Sequence, residues 1–266
     1  MSDLYNSIEQ PDWLSLKTSF DAARPFPHLG IDSFLPAALA NELEKQCRAV
    51  ETSINASNGF TQKSKTALND WGQMPPVMSQ VCCFFNSGNF LRFLERVSGI
   101  SGLIADPYLE GGGLHRTQRG GFLKLHTDFN WNRQLHLHRR INVLLYLNSG
   151  YQSAWDGRLL LTLNPRRQHL GEMTAIEPIA NRLVIFNAND RTFHGHPTPH
   201  QFPEGYPRTS LAFYYYTVAP RPWRERRRFQ AITTRYLPAI GEQIETANAS
   251  LRQRLGYWLR RWTPLG

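Results

Sequence analysis

The sequence predicts a mainly β domain with flanking helices, a sandwich or barrel buttressed by a few amphipathic segments. Three observations lead there. From about residue 103 onward, short runs rich in β-branched and aromatic residues recur at 121–129, 139–147, 157–163, 182–187 and 209–218. Turn-forming clusters separate them, among them Gly111-Gly112-Gly113, Asn148-Ser149-Gly150, Asn164-Pro165 and Pro203-Glu204-Gly205. Helical periodicity falls before and after this region, at 37–49 (Leu39, Leu43, Cys47), 89–97 (Phe90, Leu91, Phe93, Leu94) and 239–262 (Ile240, Ile244, Leu251, Leu255, Leu259). Residues 24–36 read as a short strand ending in a turn. Residues 52–73 are polar, carry Asn55, Ser57, Asn58 and Gly59, and read as a loop that could serve as a lid.

The bulk properties narrow the function classes. A chain of 266 residues, 41% hydrophobic and 12% aromatic, can bury a core of its own. No apolar run approaches the roughly 20 residues that span a bilayer. The start, Met1-Ser2-Asp3-Leu4-Tyr5, lacks the basic and apolar parts of a signal peptide. Cys47, Cys82 and Cys83 cannot build a disulfide framework, and the adjacent pair is expected in a core segment. A cytoplasmic location is therefore expected. The formal charge of +9 is uneven: residues 219–266 hold ten arginines, no lysine and three glutamates. The expected division is a domain over 1–218 and a basic helical extension over 219–266. That extension, with Trp258 and Trp262 beside its arginines, is either a solvated helix packed on the barrel or a peripheral contact for anionic lipid. Nucleic acid is the less expected partner.

The chemistry concentrates in His126-Thr127-Asp128. In an extended strand, residues two apart share a face, so these two side chains can approach one metal ion. A third donor must come from elsewhere. His194 and His196 share strand parity and are the leading candidates, His194 first; His115, His136 and His138 are weaker alternatives, and His169 and His200 sit in loop-like contexts. Two histidines and one carboxylate suit non-haem Fe(II) and leave positions open for O2 and a co-substrate. Arg208 leads into the apolar run Thr209-Ser210-Leu211-Ala212-Phe213-Tyr214-Tyr215-Tyr216. An inward cation on such a strand is costly unless paired, which favours a bound anion such as the distal carboxylate of a 2-oxo acid.

These parts resemble the Fe(II)- and 2-oxoglutarate-dependent oxygenases, in particular their prolyl 4-hydroxylase-like branch. The resemblance runs from Pro25-Phe26-Pro27-His28 to Tyr216. Its most specific pieces are Gly120-Gly121-Phe122-Leu123-Lys124-Leu125-His126-Thr127-Asp128, Arg140-Ile141-Asn142-Val143-Leu144-Leu145-Tyr146-Leu147-Asn148, Phe193-His194-Gly195 and Arg208-Thr209-Ser210-Leu211. It implies a double-stranded β-helix, a jelly-roll barrel with helices packed on one side. It implies Fe(II) on His126, Asp128 and His194, and 2-oxoglutarate on Arg208 and Tyr146, with Asn142 and Ser210 lining the pocket. O2 would be the oxidant, ascorbate a supporting reductant, and succinate and CO2 the by-products of hydroxylating a C–H bond. Halogenating relatives replace the carboxylate that is kept here as Asp128. The chain departs from the family's pattern at Trp155-Asp156-Gly157, where one glycine is missing, and at Arg116, where an aromatic residue is common. With Lys124, which has strand parity with His126, Arg116 would suit an anionic substrate. The substrate itself is expected to be a small molecule or a peptide, peptidyl proline included. The alternative is a non-catalytic jelly-roll binder whose basic tail meets an anionic surface.

Overall fold

The barrel is assembled from strands that pair antiparallel throughout. In this computed structural model residues 12–50, 62–165 and 173–218 are described with their side chains, and 57–59 and 234–235 by their backbone. The elements, in chain order, begin with helix α1 (Trp13–Ala22), strand β1 (His28–Ile31), helix α2 (Ala37–Ala49), β2 (Ser57–Gly59) and β3 (Gln62–Leu68). Helices α3 (Pro76–Phe85) and α4 (Gly88–Ser98) follow, then β4 (Ile104–Ala105), β5 (Gly113–Thr127), β6 (Trp131–Asn132) and β7 (Leu137–Tyr146). The rest is β8 (Leu159–Thr162), β9 (Met173–Ile176), β10 (Leu183–Asn187), β11 (Phe193–His196), β12 (Arg208–Thr217) and β13 (Thr234–Arg235).

The main path of pairing is β1-β10-β7-β12-β5-β11-β8-β9, with β3 and β13 on β5, β2 on β3, β4 on β12 and β6 on β7. This is the nearly closed, barrel-like β arrangement of the double-stranded β-helix, with helices beside it. Among the described residues no helix is long and apolar enough to cross a membrane.

Period-two alternation explains where the core sits. On the central strands, odd residues such as Val143, Leu145, Ile185, Leu211 and Phe213 pack outward into one cluster with the helices. The helices meet them with phenylalanines: Phe34, Phe84, Phe85, Phe90 and Phe93 belong to the same cluster. Helix α4 shows how such an element is specified. Ser87 caps its N-terminus by accepting from the Phe90 amide at 3.3 Å, Phe90, Phe93, Leu94 and Val97 form its buried face, and Gly99 ends it at φ +70°. Even residues of the same strands, such as Tyr146, Val184 and Phe186, point into the barrel with Leu159 and Leu161.

Strand β5 joins the two halves of the barrel. Its first part pairs with β12 (Leu114 opposite Leu211), its last part with β11 (His126 opposite His194). The change of sheet falls at Gly120, which has φ +73°, and Gly121, where a Cβ would lie 2.7 Å from the Gln118 carbonyl oxygen and 2.8 Å from that of Lys63. Only glycine fits there.

Three expectations need correction. Residues 62–68 of the stretch read as a loop form a strand: β3 pairs with β5 from Gln62 opposite Leu123 to Leu68 opposite Leu114. The polar composition that suggested a loop is that of a strand whose Gln62 and Lys65 line the cavity. The helix α3 was not anticipated, although Met78, Val81, Cys82 and Phe85 on its buried face repeat with helical spacing. Cys82 is buried but Cys83 is exposed, as neighbours on a helix must diverge. The expected helix at 239–262 and the rest of the basic extension lie outside the described residues, apart from Thr234 and Arg235, whose backbone pairs with Thr127 and His126 of β5.

Candidate active site

Strands β5 and β11 bring three donors together. His126 and His194 face each other across the ladder with ring centroids 4.3 Å apart. Asp128, just past the end of β5, lies 3.6 Å from His126 Nε2 through Oδ1 and 3.3 Å from His194 Nε2 through Oδ2. One ligand atom from each of the three residues lies within 4.8 Å of the others. The Nδ1 atoms of His126 and His194 face the carbonyl oxygens of Lys124 (2.9 Å) and Thr192 (3.4 Å). A carbonyl can only accept, so each Nδ1 carries the proton and each Nε2 keeps its lone pair for a metal. Burial pushes the Asp128 carboxyl up, but the Arg139 guanidinium acts against it and the carboxyl is held well below the usual carboxylate range. The donor set therefore fits a divalent metal of the Fe(II) type.

The close approach of β11 to β5 depends on Gly195. A Cβ there would lie 2.7 Å from the Leu123 oxygen and 2.9 Å from the Lys124 oxygen. The ladder is irregular at this point: His194 pairs with His126 but His196 with Leu123. That bulge changes the parity of β5, so Leu123 and His126 both line the cavity although they are three residues apart.

The cavity has a volume of about 240 Å³ and extends from the three donors to Arg208. Arg208 is buried, donates from Nε to the Gly157 oxygen at 2.6 Å and from Nη2 to the Tyr146 hydroxyl at 3.1 Å, and makes no ion pair among the described residues. Ser210 lines the same end. Burial raises the Tyr146 phenol above its ordinary value, against the pull of Arg208, so its hydroxyl stays protonated. An unpaired, buried guanidinium backed by a phenol and a serine is suited to a carboxylate.

The remaining candidates are distributed differently from expectation. Asn142 lines the cavity, but its amide donates to Asp128 Oδ2 at 2.7 Å, so it serves the carboxylate donor rather than the pocket around Arg208. Arg116 points away from the cavity and donates from Nη2 to the carbonyls of Cys47 and Val50, the latter at 2.8 Å, at the C-terminal end of α2. Lys124 is likewise absent from the lining and sits over the Phe122 ring at 5.1 Å. The anionic-substrate role given to this pair is withdrawn, because neither lines the cavity: the bulge breaks the parity that placed Lys124 beside His126, and Arg116 is spent on the end of α2. His115 and His196 line the cavity without joining the donor set; burial drives both imidazoles well below their ordinary range, so they are neutral. His136 and His138 pack around Trp131, at 6.2 and 4.9 Å. His200 is fully buried against Phe202, and His169 lies outside the described residues.

Sequence reasoning missed Arg139. Only 1% exposed, it donates from Nη2 to Asp128 Oδ2 at 2.8 Å and from Nε to Asn142 Oδ1 at 2.8 Å. Its parity with Ile141 and Val143 would place it on the helix side. A second bulge, where Tyr215 pairs with Ile141 but Tyr216 with Arg139, turns it inward.

Comparison with known proteins agrees with this geometry. The family described as the 2OG-Fe(II) oxygenase superfamily matches residues 112–216, the stretch that holds every donor named above. Residues 112–216, which carry the site-bearing strands of the barrel, thus match that superfamily, which uses Fe(II), 2-oxoglutarate and O2. The protein is a 2-oxoglutarate-dependent dioxygenase. No curated protein matches the chain in sequence. Among solved structures of the same fold, HygX from Streptomyces hygroscopicus, with nickel, 2-oxoglutarate and hygromycin B bound, is 14% identical (TM-score 0.54, covering 84% of this chain and 96% of that one). A prolyl hydroxylase from Trichoplax adhaerens, in complex with a hypoxia inducible factor peptide fragment, is 18% identical (TM-score 0.50, covering 80% and 89%). The epimerase SnoN from nogalamycin biosynthesis is 12% identical (TM-score 0.54, covering 77% and 82%).

Proposed function

We propose that His126, Asp128 and His194 hold the Fe(II), that Arg208, Tyr146 and Ser210 hold the distal carboxylate of 2-oxoglutarate, and that the enzyme hydroxylates an unactivated C–H bond. The observation that carries this is the convergence of the three donors on a cavity that also reaches the buried Arg208, which has no carboxylate partner among the described residues. When bound, iron and co-substrate supply the oxidation, with 2-oxoglutarate giving succinate and CO2. The chain's own residues do the rest. The Lys124 and Thr192 carbonyls fix the two imidazoles in the ligating tautomer. Leu123, Leu144, Leu159 and Phe186 give the cavity apolar lining, which limits water at the reacting centre. No side chain is needed as a general base.

The substrate is a small molecule or a peptide that reaches the cavity lined by Gln62, Phe129 and Tyr214 among others. Peptidyl proline is one such substrate; the order of motifs and the fold shared with a peptide-bound prolyl hydroxylase support it. The intact donor set stands against a non-catalytic binding barrel. A cytoplasmic setting and a membrane contact through the basic extension remain part of the proposal, supported by composition alone. The test is succinate release from 2-oxoglutarate by protein supplied with Fe(II), O2 and ascorbate, screened against candidate substrates beside His126→Ala. Turnover that survives in His126→Ala, or wild-type protein that binds no 2-oxoglutarate when metal-loaded, would overturn the assignment.

A further inference from the structure

Asp128 is gripped from behind. Its Oδ2 accepts from Arg139 Nη2 at 2.8 Å and from Asn142 Nδ2 at 2.7 Å, which occupies that oxygen's two lone pairs. Oδ2 also stands 3.3 Å from His194 Nε2, whereas Oδ1, 3.6 Å from His126 Nε2, takes neither of these two bonds and is the oxygen we assign to a metal. Arg139 and Asn142 are themselves joined, Nε to Oδ1 at 2.8 Å, so the three side chains close a triangle in which each is bonded to the other two. The guanidinium cannot swing out: its carbon lies 3.4 Å from the Tyr214 ring centre and 4.8 Å from that of Phe129. Both gripping residues come from β7, and the bulge opposite Tyr215 and Tyr216 is what turns Arg139 to the same side as Asn142.

We infer that Arg139 and Asn142 are positioning residues that restrict Asp128 to ligation through a single oxygen and thereby keep the remaining coordination positions open for co-substrate and O2. The inference rests on the reading of Asp128 as a metal ligand. Without the grip, the carboxylate is free to rotate and offer both oxygens, filling a position the reaction needs.

The test uses the full chain as apoprotein and Co(II) alone as the probe, with affinity read by calorimetry and coordination by the visible ligand-field band. Wild type binds one Co(II) and Asp128→Ala binds it far more weakly. Arg139→Met is expected to bind about 10- to 100-fold more weakly than wild type, the usual effect of removing a partner of a metal ligand. Its band is expected to lose intensity as the second oxygen joins the metal. Asn142→Ala shifts in the same direction by a smaller factor. Arg139→Lys keeps the charge but loses the planar fork that spans Asp128 Oδ2 and Asn142 Oδ1, so it stays below wild type. A folded Arg139→Met with wild-type affinity and spectrum refutes the grip, as does full recovery in Arg139→Lys. If Arg139→Met does not fold, Asn142→Ala decides, and wild-type behaviour there is refutation. Wild type that binds no Co(II), or an Asp128→Ala that binds it equally, instead removes the metal site itself, and the grip with it.

Discussion

Replacing Arg208 with methionine tests the co-substrate pocket most directly. Arg208 is buried, spends Nε on Gly157 and Nη2 on Tyr146, and faces no acidic side chain within ion-pair distance among the described residues. A bound carboxylate would take charge-assisted hydrogen bonds from the guanidinium, each worth about 1.5–3 kcal/mol. Losing two of them amounts to about 3–6 kcal/mol, or on the order of 10²- to 10⁴-fold in 2-oxoglutarate affinity at ~1.4 kcal/mol per decade. Arg208→Lys keeps the charge and one donor and should lose about tenfold, one such bond. Tyr146→Phe removes the hydroxyl oxygen that accepts from Nη2 and should raise the KM about tenfold, from a loss of about 1.5 kcal/mol. The apoprotein behaves differently. Methionine removes two hydrogen bonds but also an uncompensated buried charge, so the melting temperature should stay within about 4 °C of wild type. The assay is succinate release at fixed Fe(II) with 2-oxoglutarate varied, beside thermal melts of each apoprotein. A wild-type KM for 2-oxoglutarate in Arg208→Met would refute the reasoning outright.

Other perturbations separate structure from function. Gly195→Ala forces a Cβ against the backbone oxygens of Leu123 and Lys124. The expected result is a loss of about 1–3 kcal/mol of stability together with weakened metal binding, read by melting and metal titration. Arg116→Met should lower the melting temperature, because the guanidinium holds carbonyls at the end of α2, yet leave the kinetic constants for 2-oxoglutarate and substrate unchanged. A raised KM in that variant would restore Arg116 to the site. Burial pushes the Glu44 carboxyl up, but hydrogen bonds from Ser149 and from Arg48 outweigh it, and the folded value lies below the ordinary 4.5. Its contribution is therefore complete above pH 4.5 and is lost as pH falls through the lower folded value. Glu44→Gln should be less stable than wild type at neutral pH, with the gap closing in acid; denaturant melts across pH 3–7 measure it, on the ordinary carboxylate range of about 4.

The sequence made the barrel and its chemistry legible wherever side-chain period and chain order were enough. The strands at 139–147, 182–187 and 209–218 appear within two residues of β7, β10 and β12. His126, Asp128, His194 and Arg208 were recognisable because a short tripeptide, a distant histidine and a strand-leading arginine stand in a fixed order. What escaped is traceable mainly to two backbone irregularities. Parity counted back from His126 puts Lys124 in the site, and the bulge between Leu123 and His126 takes it out, while Arg116 is spent on the end of α2. Parity counted along β7 puts Arg139 outside, and the irregularity beside Tyr216 brings it in. Bulges leave little trace in residue type, since any residue with an accessible helical or extended backbone can form one. Gly120-Gly121 was the one visible warning that β5 does not run straight. The strand β3 escaped for another reason: it gains its stability from pairing along β5, a long-range contact, and its own residues are mostly polar.

The strand that supplies His126 is also the joint between the barrel's two faces, laced to β12 at one end and to β11 at the other. Prising those faces apart would draw His194 away from His126, so an ion bonded to both acts as a rivet through the joint. Loading the metal should therefore tighten the entire barrel rather than a local loop, and the gain would register as one cooperative rise in unfolding temperature.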